Sequence, residues 1–287
     1  MDIQIIQKEY WPVQLTHIPD PPQQLYIRGT IPDPDQYYIC IVGTRKASTY
    51  GKDICRELIT GLQGYPVTIV SGLALGIDTC AHRTALDCGL TTIAFPGSGL
   101  NSDILYPRNN HKLAEEIVYA GGCLLSEHAP NTISAPWIFP KRNRLMAGLC
   151  SITIVIEASL DSGSLITATY AQKYKKIVGA VPGSIHSFFS IGPHALLRQG
   201  AIVIESSEDI VRALGLNTVQ TQISFETPEE KNILEILTTP RTKDELSVST
   251  VLPIQTLQIL LSRMEIKDMI EEKHGRWHIK VCKKNPL

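Results

Sequence analysis

The sequence predicts an α/β protein: a doubly wound, Rossmann-like, mainly parallel sheet, followed by a small C-terminal winged-helix domain. Three observations predict it. Between Tyr38 and Ala213, short β-branched runs alternate with longer stretches of helical periodicity. Those runs are apolar throughout, as strands covered on both faces must be, rather than alternating with polar residues. Beyond Leu214 the pattern changes to three helices, the first two with capping motifs, and a ribbon.

Residues 1–37 hold Pro12, Pro19, Pro21, Pro22, Pro32 and Pro34 and have too little periodicity for a core of their own. They read as an arm packed on the main domain, residues 38–214. Its strand candidates are Ile39–Val42, Val67–Val70, Thr92–Phe95, Cys123–Leu125, Ile152–Ile156, Ile177–Ala180 and Ile202–Ile204. A polar Thr/Gln stretch makes residues 215–225 a linker. Thr227-Pro228-Glu229-Glu230 then combines an N-cap, a proline in the first turn and a glutamate at N3, and Thr242 with Glu245 repeats the capping box. Leu257, Leu260, Leu261 and Met264 mark one buried stripe of a third helix, Ile254 to Ile266, and Gly275 turns a hairpin toward Trp277. Residues 226–281 therefore read as a winged helix, with 282–287 as a tail.

With 43% hydrophobic and 19% charged residues the chain is not disordered. Its net charge of −1 means that any polyanion must be held by a local patch. Seven scattered cysteines, none in a Cys-x-x-Cys pair, argue against a disulfide framework or a zinc ribbon and favour the cytoplasm. The apolar runs are too short for a membrane span.

Several turns could carry chemistry. The first strand ends in Gly43-Thr44-Arg45-Lys46, which aims backbone amides and the cations of Arg45 and Lys46 at the crevice where a parallel sheet binds phosphate. An ordinary surface turn remains the alternative. Ser71–Asp78 and Pro96-Gly97-Ser98-Gly99-Leu100 are glycine-rich turns on the same sheet edge, so backbone from two loops can approach one ligand. Asp78 and His82, four apart on a helix, read as a cap and a hydrogen-bonded histidine rather than metal ligands.

Trp137-Ile138-Phe139-Pro140-Lys141-Arg142-Asn143-Arg144 gathers aromatics, cations and an amide. Rings that stack on bases beside cations that neutralise phosphates suit single-stranded nucleic acid. The alternative is a pair of core anchors beside a solvated face. Ser162-Gly163-Ser164 opens a helix whose hydroxyls, Ser164 included, cap it or bind another phosphate. Lys173, Lys175 and Lys176 at its far end read as macrodipole partners.

A P-loop, a nucleophile elbow and a metal cluster are all lacking, so neither a catalytic agent nor a cofactor is expected. The enzymatic alternative is a phosphoribohydrolase-like activity on a nucleoside monophosphate with Glu157 as general acid or base. The chain lacks the Pro-Gly-Gly-x-Gly-Thr-x-x-Glu loop of that class.

Taken in order, Gly43-Thr44-Arg45, Ser71–Asp78 with Ala81-His82, Gly97-Ser98-Gly99-Leu100 with Tyr106-Pro107, Ser126-Glu127, Phe139–Arg144, Gly163–Ala168 and Val181-Pro182-Gly183 resemble the DNA-processing protein A family, DprA or Smf, over residues 10–214. The resemblance implies an extended Rossmann domain that binds single-stranded DNA, forms homodimers and loads the RecA recombinase onto incoming DNA in natural transformation. It implies a mediator, not an enzyme. By motif position Arg45 becomes a phosphate ligand, and Gly97, Ser98 and Gly99 the lip of the DNA pocket. Phe139 becomes the stacking ring, Lys141, Arg142 and Arg144 a basic wall, and Asn143 an amide in the same motif.

The chain departs from the pattern in three places. The helical hairpin that many relatives carry at the N-terminus is reduced to the arm. His194 stands where many relatives have Asn. The predicted recognition helix, with Gln255, Gln258 and Arg263, has one cation, which favours a protein-contact or weak DNA role.

Overall fold

The computed structural model describes residues 2–216, 227–237, 241–250, 252–267, 269–273 and 275–279. The contacts divide the chain into two units, Met1–Thr218 and Val219–Leu287. The linker expected over 215–225 is described only at Gly215 and Leu216, and the tail, 282–287, lies outside the described residues.

In the first unit the arm forms β1 (Gln4–Ile6), α1 (Val13–Thr16) and β2 (Leu25–Gly29). There follow β3 (Tyr37–Val42), α2 (Thr49–Thr60), β4 (Val67–Ser71), α3 (Ile77–Asp87), β5 (Thr91–Ala94) and α4 (His111–Tyr119). Next come β6 (Cys123–Ser126), α5 (Ile138–Leu149), β7 (Ile152–Val155) and α6 (Gly163–Lys173). β8 (Ile177–Ala180), α7 (Ile191–Arg198), β9 (Ile202–Val203) and α8 (Ser207–Ala213) complete it.

All nine strands join one sheet in the order β1-β2-β6-β5-β4-β3-β7-β8-β9. From β6 to β9 every neighbour is parallel, with Ile39 opposite Ile69 on one side and Ile152 on the other. Each apolar run expected to be a strand is one. Successive residues of β3 serve opposite cores: Cys40 and Val42 pack with Leu145, Ala168 and Leu196 of α5, α6 and α7, whereas Ile39 and Ile41 pack with Leu58, Ile77 and Ile210 of α2, α3 and α8. That two-sided burial is why the runs show no polar alternation. Chain order reverses between β3 and β7, and the crevice beyond their carboxyl ends is where such sheets take ligands.

Residues before Tyr38 do more than pack on this domain. β2 runs antiparallel beside β6, with Ile27 opposite Leu125, and β1 pairs antiparallel with β2. Trp11, Leu15, Ile18 and Leu25 are buried in the same core as α5. The arm thus extends the sheet and makes it mixed.

The second unit holds α9 (Pro228–Ile236), α10 (Lys243–Thr250) and α11 (Ile254–Ile266), then a hairpin of β10 (Ile270–Lys273) and β11 (Arg276–Ile279). Thr227 Oγ1 accepts the Glu230 amide at 3.2 Å, and Thr242 and Glu245 exchange bonds of 3.2 and 2.9 Å, so both expected caps form. Ile233, Leu246, Leu257, Leu261, Met264 and Trp277 make a separate small core.

Candidate nucleic-acid interface

The loop after β3 is built from below. Thr44 N donates to the Glu157 carbonyl at 2.7 Å, lashing it to the end of β7. The buried Glu157 carboxylate accepts Ser48 N at 2.9 Å and Ser48 Oγ at 2.6 Å, while Ser48 Oγ caps α2 by accepting Gly51 N at 3.1 Å. A carboxylate at a helix N-terminus is favoured by the dipole and the unpaired amides. Both oxygens of Glu157 are thereby committed to holding the loop. Glu157 is thus engaged as an anchor rather than left free for acid or base work, and the phosphoribohydrolase-like alternative is not favoured. Above this anchor, Arg45 and Lys46 are exposed.

The Arg45 guanidinium carbon lies 5.2 Å from the centroid of the Phe139 ring, within cation–π range. Phe139, half-buried at the start of α5, rests on the turn after β5. A Cβ on Gly97 would come within 2.3 Å of its ring, so only glycine admits this contact. Tyr106 meets the far edge of the ring, centroids 6.0 Å apart and planes at 66°. Beyond it opens a cavity of about 460 Å³ lined by Ile104, Tyr106, Arg108, Ile133, Pro136 and Phe139. A second pair stands beside the first, with Lys141 Nζ 5.1 Å from the Trp137 ring, which is 54% exposed and meets His128 edge-on at 5.4 Å.

The remaining expected residues face inward. Of the three cations read as a basic wall, only Lys141 is exposed. Arg142 is 7% exposed, donates from Nη1 to the Phe95 carbonyl and lies against Gly72. Asp78, the nearby opposite charge that acts on it, has its own partners: its Oδ2 accepts the amides of Gly72 at 3.1 Å and Ala74 at 3.3 Å. Burial pushes the Asp78 carboxyl up and the Arg142 guanidinium down, and each charge partly offsets the shift of the other. Contrary to expectation, Asp78 therefore does not cap α3 but ties the loop after β4 to the first turn of that helix. His82, fully buried, hydrogen-bonds Thr92 through Nδ1 at 2.7 Å; burial, then Arg142, pushes its pKa down to about 3.

Arg144 is 8% exposed and pairs with Glu127 while donating to the Asp20 carbonyl, which fastens the arm to α5. Asn143 Nδ2 donates to the Gly163 carbonyl at 3.0 Å and so supports the start of α6. Ser164 is buried and bonded to Ser162 at 2.7 Å. Ser98 Oγ is buried, donating to Gly99 O at 2.9 Å and accepting Tyr106 N at 3.2 Å. Gly99 donates to Thr132 O at 2.8 Å. The physical reason is that the loop ends are polar and covered, and buried polar groups of backbone and side chain alike need partners, which these residues supply.

Arg45, Lys46, Gly97, Phe139 and Lys141 therefore reach or underlie the surface, and Ser98, Gly99, Arg142, Asn143, Arg144 and Ser164 brace it. Sequence reasoning gave no role to Tyr106 or Arg108; an aromatic–Pro–Arg run after a glycine turn was the available signal. His194, expected to be an altered contact, bonds Gly183 O through Nε2 at 3.1 Å. Among the described residues no three His, Cys, Asp or Glu side chains converge as a metal site would require, and no helix is long and apolar enough to cross a membrane.

Fold and site define a class: a mostly parallel α/β protein that presents ring faces and cations at the carboxyl edge of its sheet. The family model described as DNA recombination-mediator protein A matches residues 2–215, and the chain belongs to that family. It is 39% identical to DNA processing protein DprA of Streptococcus pneumoniae over 208 residues, covering 72% of each chain. It is 37% identical to Protein Smf of Escherichia coli, covering 78% of this chain but 61% of that protein's length. An X-ray structure of the S. pneumoniae protein superposes with a TM-score of 0.67, covering 73% of this chain and 74% of that one. A structure of DNA processing protein A from Helicobacter pylori, described in terms of its unique single-stranded DNA binding mode, gives 0.64 at 32% identity, over 74% and 95% of the two chains.

Proposed function

We propose that the protein is a single-stranded-DNA-binding recombination mediator that loads the RecA recombinase onto incoming DNA during natural transformation, and that it is not an enzyme. The observation that carries the reading is the Arg45 guanidinium over the Phe139 ring on the Gly97 turn. One base stacks where Tyr106 and Phe139 border the cavity, and Arg45, Lys46 and Lys141 meet the adjoining phosphates. Ser98, Gly99, Arg142, Asn143, Arg144 and Ser164 act by holding these groups in place.

The protein works in the cytoplasm as a homodimer. β9, at the sheet edge, offers an unpaired side with Ile202 and Val203 exposed, a surface suited to a second copy. The second unit acts as a winged helix that meets protein rather than duplex DNA: α11 exposes Ile254, Ile259 and Ile266.

An electrophoretic shift with single- and double-stranded oligonucleotides at two salt concentrations tests the central claim. The expected result is preference for the single strand, a salt slope of about −0.7 per phosphate contacted, and weakened binding by Arg45→Ala and Phe139→Ala. Wild-type affinity in both variants, with the fold intact, refutes the site. Release of free base from a nucleoside monophosphate would restore the enzymatic reading.

A further inference from the structure

Five helices of the first unit close alike: the residue after the cap turns left-handed, and the next amide bonds back to the carbonyl five residues earlier. α3, α4, α7 and α8 place Gly89, Gly121, Gly200 and Gly215 at the left-handed position, with φ of +68°, +86°, +93° and +68°. α6 places Lys175 there, at φ +56°, with Lys176 N bonded to Ala171 O at 2.9 Å. A Cβ crowds the neighbouring carbonyl in this conformation, so Lys175 alone of the five carries steric strain. Among the described residues the other non-glycine case is Leu73, which is fully buried in the core. Lys175 is exposed, and no core packing requires it.

Lys175 has cationic company. Lys173 precedes it, Lys176 follows, and Arg198 ends α7. α6 and α7 contribute to one core, and they lead into the adjacent parallel strands β8 and β9. Both helix ends therefore arrive at one edge of the sheet, the edge opposite the Arg45 loop. Among the described residues none of the four cations forms an ion pair. The helix dipole accounts for a cation near this terminus, yet Lys173 in the last turn satisfies it without strain. Strain kept on an exposed residue points to a use for its side chain.

We propose that Lys173, Lys175, Lys176 and Arg198 form a second contact for the nucleic-acid phosphate backbone, on the sheet edge opposite Phe139, engaged only by strands long enough to pass both. The contact is one of charge alone. The Tyr174 ring is half-buried against Tyr170, centroids 5.9 Å apart, and its hydroxyl is bonded to Asp20, so no free ring face is offered to a base. The inference shares with the reading above only the nature of the ligand.

The test uses the full chain with single strands of about 6 and about 30 nucleotides. Lys175→Gly relieves the strain, so its thermal unfolding midpoint should rise by about 2 °C. The same substitution should weaken binding of the long strand, make its salt slope shallower by about 0.7, and leave the short strand unaffected. Gain of stability with loss of binding is a combination that a merely structural lysine does not produce. The triple variant Lys173→Glu, Lys176→Glu, Arg198→Glu should deepen the loss on the long strand alone. Unchanged long-strand binding in both variants overturns the proposal, as does an equal loss on both strands or a midpoint that falls in Lys175→Gly. A Phe139→Ala variant that still binds the short strand normally would instead overturn the site at Phe139, leaving this contact to be judged on the long strand.

Discussion

Arg45 and Arg142, both expected at the same site, meet opposite fates. Arg45 follows a strand whose end is anchored by Glu157, so its own side chain is left at the surface over a ring. Arg142 enters from α5, donates to the Phe95 carbonyl within the field of the buried Asp78 carboxylate, and is enclosed. Arg144 is enclosed in the same way by Glu127 and Asp20. Whether a cation of this motif stays at the surface therefore depends on whether the fold brings a buried acceptor within its reach. Buried pairs are costly to break, because the partner left behind is an uncompensated charge.

The contrast is broken or sharpened by measurements of decreasing size. Arg142→Ala, which leaves the buried Phe95 carbonyl without its charged donor and removes the cation that offsets the charge of Asp78, should lower unfolding free energy by about 2–3 kcal/mol in denaturant titration, and a loss near zero would mean that the guanidinium is not enclosed. Acid should act on the same cluster. His82 is neutral when folded, with its pKa pushed down to about 3, while an unfolded histidine titrates near 6.5. The unfolded chain thus binds the extra proton between those values. The contribution of His82 is fully present above about pH 6.5 and falls by about 1.4 kcal/mol per unit toward pH 3. His82→Gln should flatten that part of the stability–pH curve.

Phe139→Ala should cost about 1–3 kcal/mol in oligonucleotide binding with little change in unfolding midpoint, the reverse of Arg142→Ala. If the two variants behaved alike, inward and outward residues of α5 would not differ in kind. Ser48→Ala, which removes the cap of α2, should cost about 1 kcal/mol of stability and lower affinity through a looser Arg45 loop.

The parallel strands were readable because burial on both faces writes an unbroken apolar run. β1 and β2 were not, since they are short, β2 lies between prolines and takes its pairing from β6, far along the chain, and β1 pairs only with β2. Leu25 and Ile27 are buried while Tyr26 and Arg28 are half-buried, but five residues of alternation are too few to stand out. In the site, ring and cation types could be read locally. Their direction could not, because it depends on the Phe95 carbonyl and on Asp20, which are remote from α5 in sequence and adjacent to it only once the loops and the arm have docked.

The Asp20 clasp sets a rule for grafting. The helix that carries Phe139 also grips the arm through Arg144, so the leading segment is wired into the helix of that ring. Any chimera that exchanges residues up to that point must supply a fresh acceptor for Arg144, or the transplant will be felt at the aromatic ring one turn away.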